Sequence, residues 1–310
     1  MTDWLAFAGF ASILVLVMLL LARATQSMLD DLVIGEAGEE EPQAPFSKPG
    51  TAGGESSDVL VEEPPQTGFD AMVGDESDTV LRDPGAVESD VPGESGVPEE
   101  SGPEFRLTSM ELFANVVFTH GLFAGFLVAA AFYWDVPAEA LGAVPEPLGV
   151  LGSVSPTVEA VVLGIAFGLA LAAANEVSMF ALDRAGIGYE DTLRELLSPS
   201  SAGGWVALLG VVLPLVAISE ELLFRAVLIG VFAETFALSP WLLAIVSSIL
   251  FAIGHGAQGR GGILVTGLLG FVLAAGFVLT GSLLLVIVAH YVVNAVELVA
   301  HEGLGIEPLG

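Results

Sequence analysis

The chain has 310 residues, 54% of them hydrophobic, a mean hydropathy of +0.77, and a formal charge of −30 from 38 Asp+Glu against 8 Lys+Arg. So little positive charge argues against electrostatic nucleic-acid binding, which needs clustered cations against phosphates. There is no cysteine, so disulfides, thiolate zinc sites and thiol catalysis are all excluded.

Residues 4–22, WLAFAGFASILVLVMLLLA, form an uncharged stretch long enough to cross a bilayer. The run begins beside Asp3 rather than a basic residue and exceeds the apolar core of a usual signal peptide. It therefore reads as a retained anchor occupying residues 1–29. Residues 30–104 are opposite in kind, with 21 acidic side chains, only Lys48 and Arg82 as cations, and many Pro, Gly and Ser. Such a segment buries too little apolar surface to offset its ordering entropy, which predicts a disordered acidic linker. The excess of acid with almost no lysine resembles haloarchaeal proteins, whose acidic surfaces suit high salt.

The third region, 105–310, is apolar again. Spans are predicted near 107–133, 157–174 (extending toward 182), 204–233, 240–256, 262–279 and 282–300, which with the anchor makes about seven. The fold class is all-α, a polytopic helical membrane bundle. Placing the N-terminus outside puts Arg23, Lys48, Arg82, Arg106, Arg184, Arg194 and Arg260 on the inner side. The outer loops 134–156, 234–239 and 280–281 carry no Lys or Arg, and Arg225 alone is left within the membrane. The linker and C-terminus are then cytoplasmic and the protein is a multi-pass cell-membrane protein. Gly164 with Gly168 and Gly270 with Ala274 have the spacing that lets helices pack closely in lipid. The stretch 189–197, YEDTLRELL, fits a short amphipathic helix at the interface.

An ionisable side chain inside a span costs about 2.5–3.5 kcal/mol on insertion scales, so each needs a reason to be there. Three pairs in the last four spans share an i, i+4 spacing, which puts both members on one helix face. They are Glu221 with Arg225, Phe251 with His255, and His290 with Asn294. Glu221 can neutralise Arg225, whereas Glu220 is turned about 100° away and is free to face something else. Counting from the turn near 235–239 puts Glu220 and His255 at the same depth, roughly 23 Å in, and His290 only roughly 13 Å past the turn at Gly281. A lone histidine such as His120 reads as a packing residue, Asn175 and Glu176 as the end of a span, Glu297 as support on the face of His290, and His301 as solvent-facing.

The motifs EELLFR (220–225), FAIGH (251–255) and HYVVN (290–294), the last preceded by TGSLLLVIVAH, resemble the CPBP family over roughly residues 107–302. That family comprises type II CAAX prenyl endopeptidases and related bacteriocin-processing or immunity proteins. The resemblance implies an intramembrane endopeptidase acting on membrane-associated peptides, prenylated CAAX-type substrates among them. It implies that Glu220 is the catalytic glutamate and that His255 helps it activate water. His290 and Asn294 would stabilise the oxyanion, with Glu221 and Arg225 in support. Zinc held by Glu220, His255 and His290 is the alternative to a metal-independent mechanism; the His-Glu-x2-His arrangement of helical zinc proteases is absent. A non-catalytic immunity or scaffold protein of the same fold is the rival reading, and a proton-coupled transporter is the other.

Overall fold

The computed structural model describes residues 2–38, 108–188 and 192–306, and among them every regular element is helical. Helix α1 is Thr2–Gly38, α2 Ser109–Tyr133, α3 Pro156–Arg184 and α4 Thr192–Leu197. A continuous helix, α5, covers Ala202–Phe236; α6 is Pro240–Gly254, α7 Gly259–Thr280 and α8 Leu283–Gly303. Helix α1 thus runs beyond the expected anchor boundary at 29. The rest of the expected linker, 39–104, lies outside the described residues.

Local chemistry sets the ends of these helices. Thr108 and Glu111 form a capping box, each side chain accepting from the other's backbone N–H, at 3.3 Å and 2.9 Å. Ser155, Ser201 and Ser282 cap α3, α5 and α8 with their hydroxyls. Gly281, in the left-handed region at φ 62°, stops α7 and lets the chain reverse into α8.

Among the described residues, six helices are long and apolar enough to cross a membrane. The seventh expected span, 240–256, is the 15-residue α6, about 22 Å long and short of the ~30 Å hydrocarbon thickness. It ends early because Gly254 and His255 break the winding and a 3-10 turn, Gly256–Gln258, follows. Loops expected on one side do meet at one end of the bundle. The amide of Leu283 donates to Gly142 O at 2.9 Å, tying the 134–155 loop to the α7–α8 turn. At the other end Gly261 N donates to Gly188 O at 3.1 Å, and Gln26 Nε2 to Gly256 O at 3.1 Å.

The outer surface carries large apolar side chains such as Phe118, Phe126, Phe132, Ile249 and Leu264. An exterior this apolar marks contact with lipid rather than water. Inside, α8 packs along α3 at the two expected small residues. A Cβ on Gly164 would lie 2.7 Å from Leu285 O, and one on Gly168 2.7 Å from Ala289 O, so only glycine permits this approach. Helix α1 belongs to the same core: Phe7, Ala11, Leu14 and Val15 are buried with residues of α5 and α6. Glu159, 1% exposed, accepts backbone N–H bonds from Leu148, Gly149, Val150 and Leu151 and so pins the 134–155 loop onto α3.

Candidate active site

Helix α5 carries the first motif, and its winding changes there. It is α-helical over Leu213–Glu221 and π-helical over Leu222–Val231; such wide turns concentrate at functional sites. Arg225 is 1% exposed and Glu221 fully buried, joined Nη1 to Oε1 at 2.8 Å. The guanidinium also donates to Gly270 O on α7 at 3.0 Å and lies over the Phe251 ring, 4.7 Å from its centroid. Gly270 is needed here, because a Cβ would come within 2.9 Å of the Phe251 ring. The same Glu221 Oε1 accepts from His290 Nδ1 at 2.7 Å. One buried oxygen therefore receives two donors from different helices and fixes both.

The histidine tautomers follow from their partners. His255, at the end of α6, has Nδ1 2.9 Å from Phe251 O, and His120, on α2, has Nδ1 3.1 Å from Val116 O. A carbonyl oxygen only accepts, so each Nδ1 carries the proton. His290 Nδ1 is committed in the same way to the Glu221 carboxylate. In all three neutral rings the lone pair is left on Nε2.

Two of those Nε2 atoms, of His120 and His290, face Glu220. Its side chain is 12% exposed, with Oε1 3.6 Å from His120 Nε2 and Oε2 3.7 Å from His290 Nε2. All three histidines interact with it electrostatically. Oε2 is buried without a hydrogen-bond partner, an expensive state for a carboxylate oxygen unless a proton, water or substrate group meets it there. Glu220 forms part of the wall of a cavity of ≈ 350 Å³, together with His120, His255, His290 and Asn294. Leu208, Val212, Val216 and Leu298 give the cavity an apolar side.

The structure thus brings Glu220, His255, His290 and Asn294 to one cavity, with Glu221 and Arg225 behind it. His290 reaches the level of Glu220 although the residue count left it about 10 Å short. The π-helical stretch between Glu221 and the turn rises less per residue than an α-helix, which narrows that gap. His120 is at the cavity wall rather than simply packed, and an ionisable residue in a span was the signal for it. His301 is also not solvent-facing: its side chain is 6% exposed and bridges Glu176 Oε1 and Ile306 O at 2.7 Å each. Asn175 and Glu176 lie within α3, not at its end, and Asn175 Nδ2 donates to Glu297 Oε2 at 3.5 Å. Glu297 lines the same cavity as His290 and reaches Arg194 of α4 at 3.7 Å.

The three Nε2 lone pairs and a carboxylate are donors of the type zinc takes. Their spacing is not that of a ligand set: among the described residues no group of three or more His, Cys, Asp or Glu is placed to hold a metal ion.

Residues 202–296 match the family model of the Rce1-like type II CAAX prenyl endopeptidases. This stretch is thus similar to the Rce1-like endopeptidases. No curated protein and no solved structure matches the chain. The matched segment holds Glu220, Glu221, Arg225, His255, His290 and Asn294, while His120 lies outside it. The six long apolar helices among the described residues make the chain a multi-pass membrane protein.

Proposed function

We propose that the protein is a metal-independent intramembrane endopeptidase that uses Glu220 to activate water against peptides presented from the membrane, prenylated CAAX-type peptides among them. The observation that carries this reading is the position of Glu220: a carboxylate deep in the bundle, on a cavity wall, with an imidazole Nε2 opposite each oxygen. A water between Glu220 and His255 can donate one proton to the carboxylate and hydrogen-bond to the His255 lone pair. Its oxygen then attacks the peptide carbonyl carbon. The developing oxyanion can accept from the Asn294 side-chain amide and from His290 Nε2 when that nitrogen carries a proton, Nδ1 remaining on Glu221. The apolar side of the cavity suits a lipid-like group on the substrate. The linker and C-terminus are cytoplasmic in this reading, and the acid-rich composition suits a salt-rich cell.

The test is a farnesylated CAAX peptide with a fluorophore and quencher either side of the scissile bond, assayed with the full chain in detergent. Cleavage by the wild type is expected. Glu220→Ala, His255→Ala and His290→Ala should abolish it with folding retained, and Asn294→Ala should lower kcat about 10²–10³-fold. Prolonged dialysis against EDTA should leave the rate unchanged. Normal turnover by Glu220→Ala would overturn the mechanism, and a rate restored only by added zinc would overturn its metal independence.

A further inference from the structure

The Nε2 of His120 faces Glu220 Oε1 across 3.6 Å while its Nδ1 is tied to Val116 O. In the neutral ring two lone pairs would point at each other, an arrangement relieved by a proton in the gap. His290 Nε2 stands in the same relation to the other oxygen, at 3.7 Å. The two histidines differ in what lies behind them. His290 is locked by a carboxylate and only 4% exposed, whereas His120 is held by a neutral carbonyl and its side chain is 26% exposed. His120 is therefore the more accessible of the two, and it lines the cavity in which a substrate would lie.

Peptide hydrolysis needs a proton on the departing nitrogen, since an amine anion is too poor a leaving group to depart unprotonated. We propose that His120 is the general acid of this reaction, an inference that rests on the endopeptidase reading above. Water gives one proton to Glu220 as its oxygen bonds to the carbonyl carbon, and the carbonyl π pair moves onto oxygen. When the oxyanion collapses, the C–N bond breaks with its electron pair going to nitrogen, which takes the proton from His120 Nε2. The proton on Glu220 then crosses to His120, restoring both groups. The sum is one water consumed, one carboxyl group and one amine formed.

The experiment compares two quenched farnesylated peptides, identical except that an ester replaces the scissile amide in one. An alkoxide leaves with far less help from an acid than an amine, so loss of a general acid must weigh more on the amide. His120→Gln should lower kcat for the amide about 10²-fold or more and for the ester less than about 10-fold, with KM little changed in both. His120→Asn, whose amide can still donate to Val116 O, should give the same amide-to-ester contrast and covers the case in which His120→Gln misfolds. Equal losses on the two probes, or an unaltered amide rate, would overturn the role of His120 and leave the endopeptidase reading in place. A wild-type protein that cleaves neither probe would overturn the endopeptidase reading itself, and this inference with it.

Discussion

At the scale of single residues, the adjacent carboxylates of EELLFR have different work because one helical step separates them by about 100°. Glu220 faces the cavity, whereas Glu221 is fully buried between Arg225 and His290. Glu221→Gln strands a buried cation, a change that typically costs roughly 3–5 kcal/mol. It should lower the thermal midpoint in detergent and also reduce cleavage, because His290 loses the carboxylate that anchors its Nδ1. Arg225→Gln should destabilise too, and the double change should recover part of the stability without restoring the rate. Glu220→Gln should keep or raise the midpoint and be inactive. Thermal shift of the four proteins decides between these patterns; a destabilised Glu220→Gln beside a stable Glu221→Gln would reverse the assignment. The Glu221–Arg225 pair was legible from its i, i+4 spacing alone. Its second partner, His290, was not, since a contact between positions 69 residues apart has no local signature.

At the scale of elements, the site depends on how closely α8 can approach α3. Ala289, whose carbonyl sits over Gly168, immediately precedes His290, so a side chain on Gly168 must displace the helix that carries the histidine. Gly168→Val should cost about 1–3 kcal/mol of stability through overpacking and lower cleavage as well. Gly125→Ala, with nothing within 4 Å of the added Cβ, should change neither. Measuring the thermal midpoint and the cleavage rate of both variants checks this, and an active, stable Gly168→Val would show that α8 positions His290 by other means. The spacing of Gly164 and Gly168 identified this seam in the sequence. The short α6 and the π-helical part of α5 were not legible, because hydropathy reports the length of an apolar run and not its winding. His255 is consequently at a helix terminus, and not in mid-span as the apolar run suggested.

At the scale of the whole molecule, α1 is a component of the bundle and more than a tether. It buries Phe7, Ala11, Leu14 and Val15 and hydrogen-bonds Gly256, the residue after His255. Hydropathy predicted that α1 is a membrane segment, but a lipid-facing and a protein-facing apolar side chain look alike in composition, so its docking was invisible. Removing residues 2–38 should therefore lower both yield and cleavage. Replacing 39–104 by a Gly/Ser linker of about 20 residues should leave both intact, because that acidic composition supports no packed core. Expression and cleavage assays on the two deletions check the pair, and loss of cleavage on removing 39–104 would give the acidic segment a direct part in the reaction. The central claim, that Glu220 activates water for peptide hydrolysis, is tested most directly in liposomes by mass spectrometry of a farnesylated CAAX peptide in ¹⁸O-water. The account predicts that the wild type releases a product with ¹⁸O in its new carboxyl group and that folded Glu220→Gln releases none; ¹⁸O-labelled product from Glu220→Gln at the wild-type rate would contradict it.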